Sequence, residues 1–201
     1  LILSARRASE LERGKKECQG NHEKIAILTV DLADADSLSQ KANEAEEIFG
    51  QIDVLINNGG ISQRGTADET QMEVDRRVME GNYFGSIALS KYVLPGMINR
   101  KSGHHVIETS VKGKFSTQLR SAYCASKHAL HGFYNAMRSE VYKHNINVTI
   151  VAPGFIQTNI AYHSLKSIGE ELKQKGEGQA NGIPADKCDR QIVAAIQQDQ
   201  D

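Results

Sequence analysis

Three residues of this chain have the types and spacing for proton transfer at neutral pH. Tyr123 and Lys127 stand four apart in a stretch, residues 122–144, whose pattern predicts a helix, so both project from one helix face. Ser110 lies thirteen residues before Tyr123, at the end of a run that predicts a strand. A free phenol titrates near pH 10, too high to exchange a proton readily at neutrality. An ammonium about 4–6 Å away favours phenolate, and lowering the pKa by about 2–3 units takes roughly 3–4 kcal/mol. One charge in a partly desolvated cleft can supply that much. A phenol so tuned can give a proton to a substrate oxygen or take one from it, while a serine hydroxyl holds the same oxygen. A Tyr-x-x-x-Lys pair alone is common surface decoration. Its weight here comes from Ser110, a helical Asn82, and Asn57-Asn58-Gly59-Gly60 in the same chain.

Such side chains need a scaffold that gathers distant segments. Residues 1–4 read as the end of a strand, and Ile25-Ala26-Ile27-Leu28-Thr29-Val30 is an apolar run of the kind buried on both faces of a parallel sheet. Further strands are predicted at 53–56, 105–109 and 147–151. Capping boxes at Ser9 to Glu12 and Thr70 to Glu73 predict helix starts, the second helix running to Leu94 before Pro95-Gly96. Helices are also predicted at 36–49, at 122–144, and from Pro184 onward with Ile192, Val193 and Ile196 as its core face. This alternation predicts an α/β fold: a doubly wound parallel sheet in three layers, forming one domain over residues 1–201. Within it, residues 159–183, polar and poor in apolar positions, are expected to form a mobile substrate-loop segment.

A sheet of this kind binds ligands at the carboxyl ends of its strands. After the first strand come Arg6 and Arg7, where an NAD enzyme usually carries an acid for the adenine ribose. Two guanidiniums instead offer donors for a 2′-phosphate, so NADP is expected rather than NAD. Asp31 and Leu32 follow the second strand, and Asn57-Asn58-Gly59-Gly60 the third. Paired glycines allow a ligand to approach the backbone, although Asn-Gly is also common in plain turns.

Composition removes several classes. Lys+Arg 24 against Asp+Glu 25 leaves a net charge of −1, without the basic excess of a nucleic-acid binder. No apolar stretch reaches the roughly 18 residues of a membrane helix, and no basic-then-apolar leader opens the chain. Cys18, Cys124 and Cys188 are odd in number and far apart, which predicts free thiols and a reducing compartment. His128 and His131 share a helix face, but nothing nearby completes a ligand set, so no metal is expected.

Taken together, these motifs resemble the short-chain dehydrogenase/reductase family. Asn-Tyr-Phe-Gly at 82–85, Ser-Ala-Tyr-Cys-Ala-Ser-Lys at 121–127 and Pro-Gly-Phe-Ile-Gln-Thr at 153–158 are most similar to its hydroxysteroid-dehydrogenase-like, dehydrogenase/reductase subgroup. The resemblance implies a Rossmann-type fold and an NADP-dependent oxidoreductase interconverting a secondary alcohol and a carbonyl. Asn82, Ser110, Tyr123 and Lys127 would be the catalytic tetrad: Tyr123 the acid/base, Lys127 its modulator and ribose ligand, Ser110 the carbonyl's partner, and Asn82 the holder of a relay water. Asp31 and Leu32 would meet adenine, Asn57 and Gly59 the adenosine, and Pro153, Gly154 and Thr158 the nicotinamide, with Arg6 and Arg7 marking NADP. Also implied are a small-molecule substrate and a homodimer or homotetramer through the helices at 70–94 and 122–144, with Ala122, Ala129, Phe133 and Met137 as contacts. Localisation would be cytoplasmic, or at an intracellular membrane through an upstream segment.

The chain also departs from the family pattern. The Thr-Gly-x-x-x-Gly-x-Gly turn is missing, and the first strand and helix and the last strand are expected to be absent, leaving neighbouring strand edges unpartnered. That favours a partial or truncated enzyme, the alternative being an inactive binding or interaction protein. Gly59 stands where alanine is more usual. Glu108 stands two residues before Ser110, where an aliphatic residue is usual and a buried carboxylate would cost several kcal/mol unless paired or protonated.

Overall fold

The branched apolar runs form the strands, and the amphipathic stretches between them fold back as helices. A computed structural model describes residues 1–174 and 176–198. In chain order its elements are β1 (Ile2–Ala5), α1 (Ala8–Glu17), β2 (Ala26–Thr29), α2 (Ala35–Phe49), β3 (Val54–Asn57), β4 (Gln63–Arg64) and α3 (Met72–Met79). There follow α4 (Gly85–Arg100), β5 (Gly103–Glu108), α5 (Ser121–Val141), β6 (Ile146–Val151), β7 (Leu165–Lys166), α6 (Glu177–Ala180) and α7 (Ala185–Gln197). All strand pairings between these elements are parallel, as the sequence alternation predicts. The result is a three-layer, Rossmann-type α/β fold.

The sheet is divided. β1 pairs with β2, and separately β3, β5 and β6 pair in that order. Among the described residues no strand joins β1 to β3. Side chains alternate across each strand. On one face of the larger ladder, Leu55, Ile107 and Val148 pack with Val93 and Met97 of α4 and Leu130, Tyr134 and Met137 of α5. On the other face Val54 and Ile56 are 42% and 51% exposed, an uncovered apolar strip. The smaller ladder carries its own cluster of Leu28, Val30 and Leu38. It meets the larger one through α2 against α4 and through Leu32.

Several local expectations need correction. Neither capping box caps a helix: α1 begins at Ala8 behind Arg7 and α3 at Met72 behind Gln71, neither with a side-chain cap. The Thr70 hydroxyl instead donates to the Thr66 carbonyl. The long helix from 70 to 94 is two helices joined by a π-helical turn at Glu80–Phe84, and it runs through Pro95 to Arg100. Packing outweighs the proline, because Val93 and Met97, on either side of it, are buried in the main core. On α7 the buried face is Cys188 with Ile192 and Ile196 partly covered, whereas Val193 is 50% exposed. Ala122 and Met137 are also buried, so they are not available for contact with another chain. Residues 159–183 contain β7, which pairs with β4, and the short helix α6. No helix among the described residues is long and apolar enough to cross a membrane.

Candidate active site

Asn82 is fully buried inside the π-helical turn, a helical irregularity frequent at functional sites. Its Oδ1 accepts from the Ile61 amide at 2.7 Å, and its Nδ2 donates to the Ile61 carbonyl at 2.9 Å and Ser126 Oγ at 3.0 Å. Asn82 therefore ties the loop after β3 to α5. Sequence reading did not single out Ser126, three residues past Tyr123 on the same helical face. Gly60 closes in on this knot: a Cβ there would lie 3.1 Å from Asn82 Oδ1 and 3.8 Å from Lys127 Nζ.

Tyr123 and Lys127 both project inward from α5, at 9% and 4% exposure. The ammonium stands 5.8 Å from the centroid of the phenol ring and donates to the Glu108 carbonyl at 2.9 Å. Ser110 follows β5, its Oγ accepts from the Lys112 amide at 3.2 Å, and its side chain lies close enough to the Tyr123 phenol to favour the ionised form. The predicted trio thus meets at one place, where β5 ends against the first turns of α5.

The electrostatics differ from the sequence expectation. Burial pushes the Tyr123 phenol above its ordinary value; Ser110 and the Arg120 guanidinium act in the opposite direction, and Glu108 adds to the rise. Lys127, expected to lower the phenol's pKa, is itself brought down to about 8 by desolvation, with Glu108 opposing the drop. Burial likewise raises Glu108, against the pull of Lys127, and Asp189 of α7 adds to the rise. Held this way, the phenol is protonated at neutral pH and suited to giving its proton.

The remaining expected positions lie along the strand ends. Arg6 and Arg7 are exposed after β1 with no carboxylate partner among the described residues. Asp31 Oδ1 accepts from the Ala33 amide at 3.0 Å, fixing the turn that carries Leu32. Leu32 packs so closely on Gly59 that a Cβ there would meet its Cδ1 at 2.6 Å. The Asn57 side chain points into the core, donating to Ser90 Oγ at 3.0 Å and Tyr134 Oη at 3.1 Å, so only its backbone borders the cleft. The Pro153 carbonyl accepts from the Val111 amide at 3.0 Å, tying the loop after β6 to the Ser110 turn. Gly154 follows in that loop, and Thr158 lines a cavity of about 430 Å³ with Gln157, Asn159, Ala161 and Tyr162.

His128 and His131 do not converge: His128 Nδ1 bonds the Cys124 carbonyl and His131 Nε2 the Thr109 hydroxyl. Among the described residues no group of three or more His, Cys, Asp or Glu could hold a metal ion, and all three cysteines are free.

With this geometry in view, known proteins of the same kind are informative. The family profile of short chain dehydrogenases matches residues 1–169. The dehydrogenase/reductase SDR family member 7B of Bos taurus is 41% identical over 98% of this chain and 62% of its own length. A dehydrogenase/reductase SDR family protein 7-like of Anopheles gambiae is 42% identical over 100% of this chain and 65% of its own. The chain therefore spans a little over three fifths of these relatives. Among solved structures, a short-chain dehydrogenase from Streptomyces avermitilis superposes with a TM-score of 0.73 at 28% identity, covering 100% of this chain and 69% of its own. ElxO with NADP bound gives 0.72 at 27% identity, over 77% of this chain and 63% of its own. This chain belongs to the short chain dehydrogenase family.

Proposed function

We propose that this protein is an NADP-dependent oxidoreductase whose Tyr123 protonates the oxygen of a carbonyl as it is reduced to a secondary alcohol. The observation carrying this reading is the meeting of Ser110, Tyr123 and Lys127 at the end of β5, with the phenol held protonated. Arg6 and Arg7 offer the 2′-phosphate unpaired guanidiniums, Asp31, Leu32, Asn57 and Gly59 border the adenosine, and Pro153, Gly154 and Thr158 border the nicotinamide. A bound reduced nicotinamide would supply the hydride to the carbonyl carbon. The Ser110 hydroxyl donates a hydrogen bond to the carbonyl oxygen. Tyr123 gives that oxygen its phenolic proton as negative charge builds on it, and the resulting phenolate is favoured by the Arg120 and Lys127 cations. Asn82 holds the backbone of Ile61 and the α5 face in register.

The test is loss of NADPH absorbance with a panel of carbonyl compounds. Tyr123→Phe is expected to lower kcat by about 10²–10⁴; a rate equal to that of the native protein overturns the acid/base assignment. The divided sheet favours a second reading, an inactive binding protein, which calorimetric NADPH binding by the native chain would contradict. We also propose a homodimer through α4 and α5. Exposed Phe84 of the π-helical turn and Tyr92 of α4 border an apolar groove of about 370 Å³, and Phe133 of α5 packs against Tyr83 nearby.

A further inference from the structure

We infer that Arg120 is a specificity-determining residue that holds a carboxylate of the substrate beside Tyr123, so that the carbonyl compound taken at this site is an oxo acid. The inference rests on the reductase reading above and extends it to a substrate class. Arg120 is the residue from which α5 starts, three before Tyr123 and so beside it on the first turn. Its Nη1 donates to Ser62 Oγ and to the Gln63 carbonyl, both at 2.8 Å, and more weakly to Ser164 Oγ at 3.4 Å. Those three acceptors come from β4, the residue before it, and the residue before β7, so the guanidinium plane is fixed by two separate segments. All three are neutral. No carboxylate pairs with Arg120 among the described residues.

The opposite edge of the fork is free. Nε and Nη2 of Arg120 have no acceptor among the described residues, and neither is among the unpartnered atoms sealed from solvent. The guanidinium is nonetheless half-buried, and desolvation pulls it below its usual range, with Arg64 adding like-charge repulsion. Arg64, at the end of β4, has no ion pair among the described residues either. A fixed, partly desolvated cation without a counter-charge is costly unless a ligand supplies one. Two parallel N–H groups on one guanidinium edge match the two oxygens of a carboxylate. Glu108, the one carboxylate that acts on the Tyr123 phenol, is grouped instead with Lys127 and Asp189. A substrate anion on Arg120 is thereby held one helical turn from Tyr123, whose phenol the reductase reading assigns to the carbonyl oxygen.

The test compares native protein, Arg120→Lys and Arg120→Gln in NADPH oxidation with acetoacetate, levulinate and 5-oxohexanoate, each against its methyl ester. Calorimetric titration of the same acids without cofactor runs in parallel. At least one acid is expected to exceed its ester by about tenfold or more in kcat/KM, the ratio shrinking in Arg120→Lys and approaching one in Arg120→Gln. Binding of that acid is expected to weaken with added salt and to vanish in Arg120→Gln. Acids no better than their esters in the native protein, or a preference that survives Arg120→Gln, would overturn the inference. If the native protein reduces no carbonyl, esters included, the reductase reading falls and calorimetry alone decides the carboxylate site: binding that depends on Arg120 sustains it, and equal or absent binding overturns it. Should circular dichroism find Arg120→Gln unfolded, the folded Arg120→Lys decides by whether the acid-to-ester ratio drops.

Discussion

Glu108 is a carboxylate on the strand that delivers Ser110, and its charge acts on both Tyr123 and Lys127, the groups proposed above to handle the proton. It raises Tyr123 and also raises Lys127, whose own burial works against it. Replacing it by glutamine removes both effects. On the proposed reading, the Glu108→Gln variant is therefore expected to lose reductase activity at lower pH than the native protein on the alkaline limb, as read from the pH dependence of kcat/KM; an unmoved alkaline limb would contradict it. Asn82 carries a different load. Asn82→Ala strands the Ile61 amide and carbonyl in a buried place, which should cost about 2–3 kcal/mol in urea unfolding in addition to activity. Helical and strand periodicity put Ser110, Tyr123 and Lys127 on knowable faces, and the joint pattern with Asn82 and Asn57-Asn58-Gly59-Gly60 singled them out from common surface pairs. Arg120 could not, because its acceptors lie 44 to 58 residues away and only the closed fold brings them to one guanidinium.

Among the elements, β5 combines two unusual side chains. His105 is fully buried on the face that meets α4 and α5, and neither ring nitrogen has a partner. Burial, then the neighbouring His104, lowers it to about 4. Below an unfolded pKa of about 6.5 the unfolded chain binds the proton more readily than the folded one, so stability falls as pH drops from about 6.5 towards 4. The full window is worth about 3 kcal/mol. His105→Leu is expected to flatten this part of the stability curve, measured by urea midpoints between those pH values; an unchanged acid slope would assign it elsewhere. The apolar strands were legible because branched runs have little alternative to a buried sheet. Helix boundaries were less so. Ser9 and Thr70 carry capping signals that tertiary packing ignored, and Pro95-Gly96 reads as a stop although α4 continues over buried Met97. The β4–β7 pair left almost no trace in sequence, being two residues on each side and held by long-range contacts.

At the scale of the molecule, the two ladders share no strand, and their junction depends on Leu32. A Cβ on Gly85 would lie 2.1 Å from the Leu32 carbonyl oxygen, so Gly85→Ala has to push backbone apart. The expected result is selective loosening: amides of β1 and β2 should lose hydrogen-exchange protection while those of β5 and β6 keep most of theirs. Even in the native chain the first pair should open at lower free energy, since its cluster of Leu28, Val30 and Leu38 is smaller than the core around Tyr134. The divided sheet was anticipated from the family pattern, whereas the uncovered strip of Val54 and Ile56 came from the folded arrangement. On the proposed reading these parts serve one event, the passage of a proton from a phenol to a substrate oxygen. The most direct measurement is NADPH oxidation with a reducible carbonyl, followed against pH for the native protein and for Tyr123→Phe at matched folded content. The account expects turnover by the native protein that declines as Lys127 loses its charge near pH 8, and a Tyr123→Phe rate lower by about 10²–10⁴ at every pH. Equal rates for the two proteins would contradict it.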